Sequence, residues 1–464
     1  MSGHDLETIR DAEDLLDHPD PYHIPYPALQ ALQLRLLQRW FVAQHAHIPV
    51  LRRVAERKHL ATITHLAEVV PLLFSHATYK TYPESLLDSG AWQQMNRWVA
   101  TLTTRGQELQ ALDVTGVRSL DDWLTLLDRH GFALAHSSGT SGKPSFLPKS
   151  ASEQAAMCRA YCAAFRWGQG VDPARDKMPV LCVTFQHGWS VIVRRTNDLA
   201  AAYAPTPGAI LHAFAGVQSP TQLRRQSTLR RLMAAGRLDP AARVTFEQEV
   251  RQQQAATAAS LEAFVQRMHQ YRGQRVMLLG HTATIFQLAT RLLAAGEHAL
   301  FAPDSLVIHG GGTKGLPLPD DYATTLMRFA GVPQHQVVNL YGMTERNSTP
   351  LVCAAGRKHC SPWEIPLLLD RDAAHLLNPP WGTAGIIEGR YAFVDLLAKT
   401  YWGGIVTGDQ VAMHFDRCPC GREGPQILAI RRYTDDVAAP DEDKLSCAVE
   451  MAGYVADALG TSGG

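Results

Sequence analysis

The sequence predicts an α/β fold with largely parallel sheets, and three observations carry that prediction. Short apolar, β-branched runs at 179–185, 275–279, 305–309 and 336–340 have the length and composition of buried strands. Amphipathic stretches of helical period, at 151–167, 245–271, 282–295 and 320–329, alternate with them. At 464 residues the chain is long for one domain, but it is within reach of a large α/β body with a smaller subdomain. Strands separated by helices of this length are joined by crossovers, which is how parallel sheets are built.

In chain order, residues 1–130 read as a helical N-terminal part. Leu29, Leu32, Leu34, Leu36 and Leu37, and later Leu120, Trp123, Leu124 and Leu127, recur at helical spacing. The α/β core then spans 131–380. Ser150 with Glu153 has the pattern of a capping box opening a helix. Gly296 stands where the helix over 282–295 needs a C-terminal cap. From 381 to 439 the chain turns rich in Gly, Tyr, Thr and Val, with strand-like pieces at 385–394 and 404–413, and is read as a small β subdomain. Residues 440–464 form a short tail with one helix expected at 447–459.

Composition excludes several classes of function. Hydrophobic residues make up 46% of the chain and charged residues 19%, enough for a sizeable core and contrary to global disorder. Lys plus Arg and Asp plus Glu balance at 44 each, so the footprint of a nucleic-acid or anionic-membrane partner is missing. The pairs Arg224-Arg225 and Arg230-Arg231 read as a solvated helix face. No apolar run approaches the ~20 residues of a membrane span, and residues 1–27 lack the apolar core of a secretory leader. Eight cysteines, unevenly grouped, suggest reduced thiols or metal ligands rather than a disulfide scaffold. The expected location is cytoplasmic.

The segment with the most chemistry is Ser137, Ser138, Gly139, Thr140, Ser141, Gly142, Lys143 and Pro144. Its glycines permit a tight turn that aims backbone amides at a polyanion, its hydroxyls add hydrogen bonds, and Lys143 adds charge. The spacing is not that of a Walker A loop. Taken alone, it could equally be a flexible Ser/Gly turn. Further along come Gly310, Gly311, Gly312 and Thr313 after a strand, then Tyr341-Gly342-Met343-Thr344-Glu345, Thr407-Gly408-Asp409, and Arg432.

In this order the motifs resemble those of the adenylate-forming superfamily, which includes acyl-CoA synthetases, luciferases and peptide-synthetase adenylation domains. The resemblance covers most of 130–450. It implies an adenylation domain of two sheet-containing lobes that uses ATP and Mg2+ to convert a carboxylic acid into an acyl-adenylate, then transfers the acyl group to a thiol. It further implies that residues 137–143 and 310–313 hold phosphate and adenine and that Tyr341 with Gly342 lies on adenine. Thr344 would contact phosphate, Glu345 would bind Mg2+, Asp409 would hold the ribose, and Arg432 would touch the nucleotide. Around Arg432 the match is imperfect: aligning the paired aspartates puts Tyr433 at the arginine position.

Within the superfamily the chain looks closest to phenylacetate-CoA ligase-like proteins and LuxE-type acyl-protein synthetases. Cys418-Pro419-Cys420-Gly421-Arg422 resembles the former. His359-Cys360-Ser361-Pro362-Trp363 and the tail Lys444-Leu445-Ser446-Cys447-Ala448 resemble the latter. The tail is far shorter than the usual lid of the superfamily, so no complete lid is expected. Cys447 stands where acyl-protein synthetases carry an acyl-accepting cysteine; the alternative is a small apolar residue of the last helix. The acceptor is therefore the chain's own cysteine, coenzyme A, or a carrier or reductase protein. An adenylate-binding protein without turnover is a third reading. Cys353, His359, Cys418 and Cys420 can supply four tetrahedral zinc ligands for a closed structural site, with Cys360 a spare; the alternative is a set of unrelated thiols. Phe185, His187 and His281 are the expected wall of the acyl pocket, although a residue that follows a strand can simply cap it.

Overall fold

The computed structural model describes residues 4–136, 143–311 and 318–432. In chain order its strands are β1 (Phe74–Ser75), β2 (Ala135–His136), β3 (Phe146–Leu147), β4 (Val180–Gly188), β5 (Ile210–Gln218), β6 (Met277–His281), β7 (Leu306–Gly310), β8 (Val337–Leu340), β9 (Leu351–Val352), β10 (Lys358–His359), β11 (Glu364–Leu369), β12 (Thr383–Asp395), β13 (Gly404–Phe415) and β14 (Gln426–Arg432). The described residues fall into two compact units. One draws on 4–135, 145–168 and 344–432, the other on 136, 143–144, 169–311 and 318–343.

The second unit is the α/β body that the alternation predicts. Its five strands run parallel in the order β5-β4-β6-β7-β8. The four strands expected from the sequence appear within two residues of their predicted starts. Buried on both faces, β6 and β7 read as continuous apolar runs. The helices Val191–Tyr203, Thr282–Ala294 and Tyr322–Ala330 follow β4, β6 and β7. Ile285, Leu288 and Phe329 from the latter two pack with Leu181, Val183, Leu278 and Val307 of the sheet. The helix expected over 245–271 starts earlier, at Pro240, because the Asp239 carboxylate accepts from the amides of Ala241 and Ala242 at 3.0 and 3.1 Å. Edge strand β5 was not foreseen. Its second half is exposed and its glycine and alanines weaken the strand signal.

The first unit holds a largely antiparallel seven-stranded sheet, ordered β11-β12-β13-β14-β10-β9, with β1 pairing parallel to β13. The described part of 381–439, read from the sequence as a small β subdomain, shares its core with the N-terminal helices. Leu29, Leu32 and Leu36 of the helix Tyr26–Gln44 cluster with Ala160, Trp363 and Leu397. Buried Gln33 donates to the carbonyls of Pro362 and Glu364 at 2.8 and 2.9 Å, and the Trp402 indole donates to Leu72 O at 2.7 Å. The capping box forms as expected: Glu153 accepts from Ser150 N at 2.7 Å, and Ser150 Oγ accepts from Glu153 N at 3.2 Å. The same buried carboxylate accepts from the amides of Lys399 and Thr400 at 2.6 and 2.9 Å, which ties the helix start to the turn before β13.

Candidate functional site

In the parallel sheet, the residues singled out from the sequence converge on one edge. His281 ends β6, Gly310 ends β7 with Gly311 just beyond, and Tyr341 and Gly342 follow β8. The register sets His281 beside Gly310 and Gly310 beside Leu340. Phe185 and His187 lie in the last four residues of β4, with Phe185 half-buried against the Phe214 ring at 5.1 Å and His187 exposed. This is the carboxyl edge, where open parallel sheets place ligands. Gly311 sits at φ +78°, and a Cβ there would lie 2.7 Å from His281 Nδ1. Only glycine fits both the backbone angle and that approach. Behind this edge, Thr282 Oγ1 and His309 Nδ1 are 3.0 Å apart, and Asn339 donates to the Tyr322 hydroxyl at 2.7 Å. Lys143 is half-buried. Ser137, Ser138, Gly139, Thr140, Ser141, Gly142, Gly312, Thr313 and Cys447 lie outside the described residues, as do Tyr433 and Lys444.

The first unit carries Thr344, Glu345, Asp409 and Arg432. Thr344 is half-buried and Glu345 buried, and the chain directly after them is anchored from below. Arg346 and Glu364, both with fully buried side chains, form a two-point pair: Nε donates to Oε2 at 2.5 Å and Nη2 to Oε1. Tyr391 and Ser348 donate to the same carboxylate at 2.8 and 3.2 Å. Burial alone would push the guanidinium pKa down, but the Glu364 charge more than offsets this and holds it above its ordinary value. Asn347 N donates to Asp395 Oδ2 at 2.5 Å, Asn347 Nδ2 to the Tyr401 hydroxyl at 2.9 Å, and fully buried Lys149 to Arg346 O at 3.3 Å. Sequence reasoning missed this network. The one available signal was the polar run Arg346-Asn347-Ser348-Thr349, which has no period.

Burial pushes the Asp395 carboxyl up to about 7, against the amides of Asn347 and Leu397 that favour its charge. The unfolded carboxyl ionises near ~3.9. Between those values the folded state binds more protons, so this group's contribution to stability falls as pH rises from ~4 to 7 and is level above. Asp395→Asn removes the term. The unfolding free energy of the variant relative to wild type is expected to rise by about 1.4 kcal/mol per pH unit through that window. Urea denaturation of both proteins at pH 5 and pH 7.5 measures it, and a constant difference would refute the assignment.

Asp409 is positioned by its own strand. Thr407 Oγ1 donates to Tyr391 O at 2.7 Å and accepts from Asp409 N at 3.1 Å. Across the ladder, Arg432 pairs with Asp409, Nη1 to Oδ1 at 3.1 Å, with the arginine side chain 65% exposed and the carboxylate 9%. The arginine therefore reaches Asp409 although its sequence context matched the family imperfectly.

Where the loop between β13 and β14 meets the β9–β10 hairpin lie Cys353, His359, Cys418 and Cys420, whose ligand atoms all fall within 4.8 Å of one another. Cys353 opens the turn closed by Gly356 N to Cys353 O at 2.8 Å, His359 ends β10 just after it, and the loop between β13 and β14 delivers the other two. Cys353 and Cys418 sulfurs are 3.9 Å apart, and Cys420 Sγ is 3.4 Å from His359 Nε2. A tetrahedral zinc with bonds of about 2.3 Å to sulfur and about 2.0 Å to nitrogen spaces its ligands by about 3.5–3.8 Å, so the cluster fits such an ion. Burial pushes the His359 imidazole down to about 4, which leaves it in the neutral form a ligand needs. Cys360 points elsewhere, its sulfur 3.9 Å from the Tyr391 hydroxyl.

No protein-family model matches the chain, and no curated protein does. Among solved structures, the chain is similar to 2-hydroxyisobutyryl-CoA ligase, crystallised in an open conformation with 2-HIB-AMP and CoA. The likeness has a TM-score of 0.51 at 13% identity and covers 90% of this chain and 72% of that one. The likeness is one of fold, a mixed α/β architecture of parallel and antiparallel sheets.

Proposed function

We propose that the protein activates a carboxylic acid with ATP and transfers the acyl group to a thiol, in the first instance its own Cys447. The observation that carries the reading is the gathering of His281, Gly310, Gly311, Tyr341 and Gly342 at the carboxyl edge of the parallel sheet, in a fold shared with a ligase that holds an acyl-adenylate. In the first step a carboxylate oxygen of the substrate attacks the α-phosphorus of ATP, the bond to the β-phosphate oxygen breaks, and pyrophosphate leaves. In the second, a thiolate attacks the acyl carbon, the carbon–oxygen bond to AMP breaks, and AMP departs with that electron pair.

The chain's residues divide this work. The amides and hydroxyls of 137–142, with Lys143, would cradle the triphosphate, and Gly312 and Thr313 would continue the adenine platform begun by Gly310 and Gly311. Tyr341 would cover the base and Asp409 would accept from the ribose hydroxyls. Thr344 and Glu345 offer oxygen donors of the kind Mg2+ prefers, and the ion would there neutralise charge developing on phosphate. Phe185, His187 and His281 would wall the acyl group. The four-ligand Cys/His cluster has no open position, which suits a structural zinc rather than a reacting one.

Intact-protein mass spectrometry after incubation with ATP, Mg2+ and a panel of fatty and aryl acids tests the reading. Wild type is expected to gain a hydroxylamine-labile acyl mass that Cys447→Ser lacks. If neither protein gains mass but AMP is released only with coenzyme A present, the acceptor is coenzyme A. That second reading is favoured by the CoA bound in the similar ligase. Failure to release pyrophosphate with any acid would leave a binding protein without turnover.

A further inference from the structure

The hairpin β13–β14 joins two features usually considered separately: the metal-type cluster at its turn and the Asp409–Arg432 pair at its open end. Strand β14 is weakly held between them. On one side it pairs with β13, but with a register shift at Ala412/Met413 that leaves Leu428 as an extra residue. On the other side β10 covers only Gln426 and Ile427, so from Leu428 to Arg432 the strand is an edge among the described residues. Its side chains there are half-buried or exposed and give little hydrophobic reason for one register over another. A one-residue slip would turn Arg432 to the opposite face and away from Asp409.

What fixes β14 is therefore its start. There Gln426, fully buried, donates to Asp416 O and Gly424 O at 2.6 Å each, while His359 stands opposite it in the ladder. Cys418 and Cys420 lie in the loop just before it, and Cys353 and His359 on the neighbouring β9–β10 hairpin. An ion shared by all four would join the two hairpins at the start of β14.

We propose that the metal held by Cys353, His359, Cys418 and Cys420 sets the register of β14 on β13 and so places Arg432 against Asp409, making affinity for the adenine nucleotide depend on the bound ion. The inference rests on the reading of Asp409 as the ribose contact. By reciprocity, the nucleotide must tighten the metal by the factor with which the metal tightens the nucleotide.

The test uses the full-length, zinc-loaded protein, with one zinc per chain by elemental analysis. Zinc transfer to a chromogenic chelator is followed at equilibrium with and without saturating AMP. AMP is expected to lower the transfer constant about ten- to a hundredfold, the worth of one charge-assisted hydrogen bond, and Arg432→Ala is expected to abolish this effect while zinc still binds. Hydrogen exchange of 426–432 is expected to quicken on zinc removal, with 277–281 and 306–310 unchanged. Transfer constants indifferent to AMP in a protein that binds AMP by calorimetry would overturn the proposal. Were wild type to bind no AMP at all, the nucleotide reading would fail, and unchanged exchange in 426–432 would independently refute the link from metal to strand.

Discussion

Replacing Glu364 by alanine is expected to lower the unfolding free energy of its unit by about 3–5 kcal/mol, the largest single-residue effect on stability expected here. The reason is asymmetric. Arg346 is fully buried, and without Glu364 its charge has no counter-ion in a site closed to water. Tyr391 and Ser348 lose their acceptor at the same time. The paired replacement Arg346→Met with Glu364→Leu removes both charges and should recover most of the loss, because the pair's attraction barely exceeds its desolvation cost. Urea unfolding followed by tryptophan fluorescence compares the three proteins. A Glu364→Ala variant within about 1 kcal/mol of wild type would mean that the pair is not closed to water. Since Arg346 directly follows Glu345, a folded remnant of this variant should also lose pyrophosphate release out of proportion to its loss of structure.

The second large effect concerns Glu345 itself. Glu345→Gln keeps the shape of the side chain and removes its charge, so the fold should persist while ATP-dependent pyrophosphate release falls about 100- to 1000-fold, the range for losing a group that stabilises developing charge. The loss should appear in kcat more than in KM for the acid, since phosphate charge grows toward the transition state. Raising the Mg2+ concentration should restore part of the rate if the carboxylate serves to hold that ion. A variant that retains wild-type turnover would remove Glu345 from the chemistry and with it the role given to the Tyr341–Glu345 segment.

What the sequence made legible was local. Period and β-branching found β4, β6, β7 and β8 because each opens on a short apolar run, buried without interruption in β4, β6 and β7 and alternately half-buried in β8. The Ser150–Glu153 cap and the Cys353/His359/Cys418/Cys420 set were legible for a similar reason, since their chemistry is written in residue type and spacing. Pairings between distant segments were not. Nothing local says that Phe74 lies beside Ile405, or that Gln33 binds the backbone at Glu364. The polar network beneath Glu345 escaped for the same cause, because Lys149, Arg346, Glu364 and Asp395 each look solvated until burial is known. Strand β5 was hidden by its half-exposed pattern.

The division of the chain also bears on how it is made. The parallel-sheet body is nearly continuous, from Gln169 to Met343, whereas the other unit draws on segments before and after it. On a ribosome, which releases the chain N-terminus first, the continuous unit has all its strands in hand while the helices before it still await β11–β14. Until then Glu153 lacks the Lys399 and Thr400 amides that satisfy it, and Gln33 lacks its carbonyls. The early helices thus keep polar and apolar faces uncovered while the parallel-sheet body is made, and these are the faces a holding chaperone would recognise.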